Sequence, residues 1–159
     1  MENKELVREA LEARKQSYCP YSSFAVGAAL LCGDGTIFRG CNIENAAYPA
    51  TNCAERTAMF KAVSEGNMDF RAIAIVGGPK GKEPKDFCAP CGVCRQVMAE
   101  FCDPETFRIV LMNGDGEIRD YLLKELLPLG FTGKALEKYK AHWKGCKRKY
   151  DIQRYIEES

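Results

Sequence analysis

Three cysteines and one glutamate carry the most readable chemistry in the chain: Cys53 and Glu55 in Cys53-Ala54-Glu55-Arg56, and Cys91 and Cys94 in Pro90-Cys91-Gly92-Val93-Cys94. Catalytic zinc sites use three protein ligands and keep a fourth position for water, and soft thiolates suit this ion. If the two stretches meet in space, Cys53, Cys91 and Cys94 complete such a set. A Cys-x-x-Cys pair that opens a helix puts both sulfurs on one face, at the end where free N–H groups and the macrodipole favour negative charge. Cys91 and Cys94 therefore ionise readily. Cys53 reads as a second helix start, with Thr51 and Asn52 as caps and Ala58, Met59, Ala62 and Val63 at helical spacing. Glu55, two residues after Cys53, can reach a metal-held water without being a ligand, which is the place of a proton carrier.

A ligand two residues before a glutamate, followed later by Pro-Cys-x-x-Cys, resembles the signature of the zinc nucleobase deaminases, whose first ligand is His or Cys. Here it must be Cys53, because the single histidine, His142, lies in the C-terminal tail. That also excludes Ser-His-Asp and Cys-His catalysis in the core. Two blander readings compete at this stage. Glu55 alone reads equally well as a capping-box residue behind Asn52, and Cys88 leaves open a closed, four-thiolate structural site. Cys19, Cys32, Cys41, Cys102 and Cys146 read as small apolar packing residues.

The elements that must position these residues fit one ordinary domain: 159 residues, 46% hydrophobic and 28% charged, are enough for a core without outside staples. No run of about eighteen apolar residues is present, and Met1-Glu2-Asn3-Lys4-Glu5 lacks a signal peptide's apolar region. The expectation is a cytoplasmic protein with no membrane partner. Nine cysteines in such a chain suggest metal binding and buried thiols, not a disulfide framework. A net charge of +1 argues neither for nor against nucleic acid.

Residues 3–18 read as an amphipathic helix with Leu6, Val7, Ala10, Leu11 and Ala13 near one face. Phe24 to Cys32 and Thr36 to Cys41 form a hairpin through Gly33-Asp34-Gly35. A polar strand end, Asn42-Ile43-Glu44-Asn45, precedes the first cysteine helix, Cys53 to about Glu65. Phe70 to Val76 is a continuous apolar strand closed by Gly77-Gly78, and the second cysteine helix runs from Cys91 to about Phe101. A strand at Phe107 to Met112, a turn at Asn113-Gly114-Asp115-Gly116 and a short helix at Leu122 to Leu127 complete an α/β sandwich with a mixed sheet.

Five motifs occur in order: Tyr21-Ser22-x-Phe24-x-Val26-Gly27-Ala28-Ala29, Cys41-Asn42-Ile43-Glu44-Asn45-Ala46, Cys53-Ala54-Glu55-Arg56-Thr57-Ala58, Pro90-Cys91-Gly92-Val93-Cys94-Arg95-Gln96 and Glu125-Leu126-Leu127-Pro128. On these the chain resembles the small, homotetrameric zinc type of cytidine deaminase. The resemblance implies a mixed five-stranded sheet flanked by helices, in a deaminase domain at residues 1–136, with one Zn²⁺ per chain. It implies hydrolysis of cytidine or 2′-deoxycytidine to the uracil nucleoside and ammonia, in pyrimidine salvage, with zinc-activated water attacking C4 and Glu55 moving protons. It further implies that Asn42 and Glu44 hold the sugar hydroxyls, Phe24 packs on the base, and the backbone at Ala54 and Ala89 bonds its polar edge. Phe131 would cover a neighbouring subunit's site. Without the resemblance, Phe24 and Phe131 read as core residues.

Three thiolates on one Zn²⁺ leave a net −1 that weakens its acidifying power, and Arg56, beside Glu55, is the available cation to offset it. Two departures from the family pattern stand out: Cys88, and a C-terminal extension at 137–159. The extension holds Lys138, Lys140, Lys144, Lys147, Arg148 and Lys149 among Tyr139, Trp143 and Tyr150, with apolar and long side chains at helical steps. It reads as a helical packing segment, with nucleic acid as its competing partner. Against the free-nucleoside reading stand a deaminase of another aminated base or of polynucleotide, and a non-catalytic zinc-stabilised interaction domain. A carboxylate aimed at the sugar favours the nucleoside, since it would repel a phosphate there.

Overall fold

The computed structural model describes residues 1–136, so the expected helix and the nucleic-acid candidate at 137–159 lie outside the described residues. The chain runs α1 (Asn3–Arg14), β1 (Phe24–Cys32), β2 (Ile37–Cys41), a 3₁₀ turn (Tyr48–Ala50), α2 (Ala54–Ser64), β3 (Phe70–Pro79), α3 (Gly92–Phe101), β4 (Arg108–Met112), β5 (Ile118–Leu122) and α4 (Leu123–Leu126). The five strands form one sheet in the order β2-β1-β3-β4-β5. Only β3 and β4 are parallel, the pair joined across α3, as a parallel connection requires a crossover. The fold is the expected mixed five-stranded sheet flanked by helices.

Each sheet face carries its own core. Leu6, Val7 and Ala10 of α1 pack on Ala29, Ala72, Ala74, Val76 and Val110. On the other face Ala54, Ala58, Met59 and Ala62 of α2 and Cys94 and Met98 of α3 pack on Leu30, Ile73, Ile75 and Ile109. Burying each large aliphatic side chain contributes about 1.5–3 kcal/mol. Close approach of α2 depends on Gly40, where a Cβ would lie 2.3 Å from Ala54 O and 2.4 Å from Ala58 N. A side chain there would lift the start of α2, and with it Cys53 and Glu55, off the sheet.

Several expected boundaries move. Helix α1 ends at Arg14, not near Tyr18, because Tyr18 N–H turns away to Asn42 O at 3.0 Å and Tyr18 pairs with Ile43. Gly77-Gly78 does not close β3, since both continue the ladder opposite Val26 and Ala25. Gly77 is needed there for space: a Cβ would fall 2.5 Å from Cys88 Sγ and 3.0 Å from the Phe24 ring. Strand β5 forms after Gly116, where the sequence pattern marks no element before Leu122, and its surfaces are only partly covered.

Candidate active site

The two cysteine stretches converge on one end of the sheet, where α2 and α3 begin. Cys53 is the residue that caps α2 and Cys91 the residue that caps α3, both in extended backbone with no side-chain cap of their own. The expected caps, Thr51 and Asn52, stand two positions and one position too early. Asn52 instead donates to Thr57 Oγ1 at 3.0 Å. Since α2 starts at Ala54, Glu55 is its second residue, whereas a capping box uses the third; that reading of Glu55 falls away.

The Sγ atoms of Cys53, Cys91 and Cys94 all lie within 4.8 Å of one another, and Cys53 and Cys91 are 3.8 Å apart. A tetrahedral zinc at about 2.3 Å from each sulfur places its thiolates about 3.8 Å apart, so the cluster fits zinc. Cys88 is not part of it. Its thiol lies instead between Gly77 and the base of β1, and burial pushes it up to about 11. Eight of the nine cysteines fall in the described residues and all eight are free thiols.

In zinc-free protein the electrostatics around the cluster favour one anionic sulfur, that of Cys53, and not the ready ionisation of Cys94 expected from its place at a helix start. Hydrogen bonding with Cys94, then with Arg56 and Cys91, holds Cys53 down to about 5 against the effect of burial, while the same bond and burial push Cys94 up. One Arg56 Nη2 donates to Cys53 Sγ at 3.5 Å and to Thr51 O at 3.3 Å. Among the described residues its buried Nε has no hydrogen-bond partner, and the guanidinium's charge lies beside the sulfurs of Cys53 and Cys94. Metal binding replaces the thiol protons.

Glu55 is buried, 4% exposed, and burial pushes its carboxyl up to about 7, with the Cys53 thiolate adding to the rise and Arg56 opposing it. A carboxyl poised near neutral pH is suited to both taking and giving a proton. The same shift has a stability consequence in zinc-free protein. A carboxyl raised in the folded state stabilises below its unfolded value of 4.5, and the contribution is lost as pH rises through about 7. Zinc-free Glu55→Gln is therefore expected to be more stable than zinc-free wild type at pH 8.5, by on the order of 3 kcal/mol, with the gap shrinking as pH falls to about 5. Denaturant unfolding at both pH values checks this; a pH-independent gap would rule burial out as the cause.

The residues expected to hold sugar and base come from the start of β1, the chain after β2, the start of α2, the chain before α3 and the chain after α4. Phe24 starts β1 and is 42% exposed, and Phe131 is 61% exposed, so neither is the core residue that its type alone suggests. Phe24 and Cys88 both lie against Gly77. For Phe131 the contact recorded is through its backbone, whose carbonyl accepts from Gln96 Nε2 at 2.7 Å. Ala54 is fully buried, and Ala89 is exposed.

Asn42 and Glu44 are held by hydrogen bonds that their sequence positions do not reveal. Asn42 Oδ1 accepts from Val26 N at 2.8 Å and from the buried Ser17 hydroxyl, and Nδ2 donates to Phe24 O at 2.9 Å. This fixes the amide's orientation and leaves one N–H for a ligand. Glu44 accepts from the N–H groups of Tyr21 and Ser22 and from the Ser22 hydroxyl. It lines an open cavity of about 310 Å³ with Tyr21, Ser22, Tyr48 and Thr51, within the range of small-molecule sites. Larger clefts of about 570 Å³ are lined by none of Cys53, Glu55, Cys91 and Cys94; chemistry, not size, marks the site.

A family profile described as "Cytidine and deoxycytidylate deaminase zinc-binding region" matches residues 1–110. The chain belongs to the cytidine and deoxycytidylate deaminase family. Among deaminases of this family, a cytidine deaminase of Halalkalibacterium halodurans is 53% identical over 132 residues, covering 83% of this chain and 96% of that protein. A cytidine deaminase of Sporosarcina psychrophila is 51% identical, covering 83% and 93%. A blasticidin-S deaminase of Bacillus cereus is 34% identical, covering 67% of this chain and 76% of that protein. The crystal structure of a cytidine deaminase from Burkholderia pseudomallei matches with a TM-score of 0.74 at 47% identity, covering 82% of this chain and all of the other.

Proposed function

We propose that this deaminase hydrolyses cytidine and 2′-deoxycytidine to uridine and 2′-deoxyuridine with release of ammonia, serving pyrimidine salvage. The observation that carries the reading is a buried glutamate beside a three-thiolate cluster, in a chain more than half identical to two cytidine deaminases over nearly their whole length. In this reading Cys53, Cys91 and Cys94 hold one zinc per chain. Zinc bound there supplies Lewis acidity that makes water nucleophilic at neutral pH.

Glu55 would take a proton from the attacking water and deliver it to N3 of the base, then take the proton left on the hydroxyl added at C4 and pass it to the amine as the C–N bond breaks; one carboxylate, alternately base and acid, serves all four transfers. The fully buried Ala54 and the exposed Ala89 offer their backbone to the base's polar edge. Phe24 packs on the ring of the base. Asn42, with its one unused N–H, and Glu44, an acceptor, take sugar hydroxyls. Arg56 offsets the sulfur charge: Arg56→Gln is expected to lower turnover by about 10–100-fold and to move the pH–rate profile upward, since a cation that favours ionisation at the centre is gone. Wild-type rate and profile in that variant would dismiss this role.

The deaminase domain in this reading spans residues 1–136, with 137–159 as an extension. It works as a homotetramer whose sites are shared, supported by the exposure of Phe131, Leu129 and Tyr48, and mass in solution tests the assembly. The cytoplasm, where thiols stay reduced, is its compartment; among the described residues no helix is long and apolar enough to cross a membrane.

Loss of cytidine's ultraviolet absorbance tests the activity, with 2′-deoxycytidine, cytidine monophosphate and blasticidin S alongside. The last is included because a relative is named for it. Turnover of blasticidin S with cytidine untouched would replace this reading by deamination of another aminated pyrimidine.

A further inference from the structure

We propose that Ser22 is a positioning residue that aims Glu44 at a single sugar hydroxyl, an inference that rests on the nucleoside reading above. The Ser22 hydroxyl donates to Glu44 Oε1, while the N–H groups of Tyr21 and Ser22 donate to Oε2 at 2.9 and 3.2 Å. An ionised carboxylate offers about four acceptor positions. Three are taken by one dipeptide, both on Oε2 and one on Oε1, so one position on Oε1 remains. These bonds, led by that from the Ser22 hydroxyl, also hold the Glu44 carboxyl below the usual range and keep it an acceptor only. One free acceptor, on a side chain lining the cavity of about 310 Å³, fits one hydroxyl donor and repels a phosphate oxygen.

The serine is itself fixed from the other side. Its Oγ accepts from Phe24 N–H at 3.0 Å, and Ser23, at φ 54°, turns the chain between them. Ser23 is pinned in turn by Ser23 N–H to Cys19 O at 3.1 Å and Lys80 N–H to Ser23 O at 2.8 Å. The hydroxyl thus has its one proton committed to Glu44 and a lone pair committed to the strand that carries Phe24. Removing it leaves the backbone N–H bonds to Oε2 but frees Oε1 to rotate, so the cost falls on sugar binding and not on the chemistry at the base.

The test uses full-length zinc-loaded protein, wild type, Ser22→Ala and Ser22→Thr, with cytidine, 2′-deoxycytidine and 2′,3′-dideoxycytidine as substrates. Ser22→Ala is expected to raise KM about tenfold for a substrate bearing the hydroxyl that Glu44 takes, with kcat within about twofold, the pattern of lost uniform binding. For the dideoxynucleoside its KM should match wild type, and Ser22→Thr, which keeps the hydroxyl, should restore binding. An equal KM rise on all three substrates would place the effect in the loop's structure and overturn the proposal. So would a fall in kcat at constant KM, or unchanged kinetics throughout. Wild-type protein that leaves every nucleoside untouched would sink the nucleoside reading itself, and this inference with it.

Discussion

Glu55→Gln is expected to keep zinc at one per chain and to lower cytidine turnover by about 10²–10⁴-fold, the usual worth of a positioned acid–base group. Glutamine preserves the side chain's shape in a pocket where only 4% of the residue is exposed, so packing and the neighbouring sulfurs are left in place. What it removes is the ability to accept and return a proton. Glu55 is the second residue of α2 and makes no capping box, so loss of helix stability cannot account for a fall of that size. Metal analysis and turnover on the same preparation decide the matter. A zinc-loaded variant working at near-normal rate would mean that another group carries the protons.

The site was legible in the sequence to different depths. Cys53, Glu55, Cys91 and Cys94 could be read from type and spacing because a metal demands particular atoms and a helix start fixes their direction. Their supports could not. That Gly40 lets α2 settle onto β2 depends on a contact between elements that spacing alone does not announce. Ser17 read as part of the first helix, and Ser22 follows it in a stretch where serines ordinarily bond nearby backbone; here they reach Asn42 and Glu44, 25 and 22 positions away. The signal that could have found Ser22 was its place beside Phe24 in the first family motif. Strand β5 was missed because only part of Ile118–Leu122 is covered, so no clean alternation marks it. Phe24 and Phe131 read as core by type, and it is the resemblance, not their chemistry, that pointed to the exposure seen.

Cys53→Ala, Cys91→Ala and Cys94→Ala are each expected to abolish detectable turnover, release zinc and lower the melting temperature, whereas Cys88→Ser should do none of these. The contrast follows from placement. The first three sulfurs lie within 4.8 Å of one another, so deleting any one leaves two thiolates, too few to hold zinc in a three-ligand site. Because the metal binds the folded cluster and not the open chain, its loss also removes stability. Cys88 belongs to the Phe24 side of the site, with its Sγ against Gly77, and serine preserves nearly all of its volume. The four proteins should be compared by zinc content after dialysis against a weak chelator, by cytidine turnover and by thermal melting. Zinc lost from Cys88→Ser would make the site a closed four-thiolate one with no position for water, and the catalytic reading would give way to a structural one. Zinc retained after loss of Cys53 would break the link between the two stretches, since Cys91 and Cys94 alone would then be holding the ion at a place that need not include Glu55.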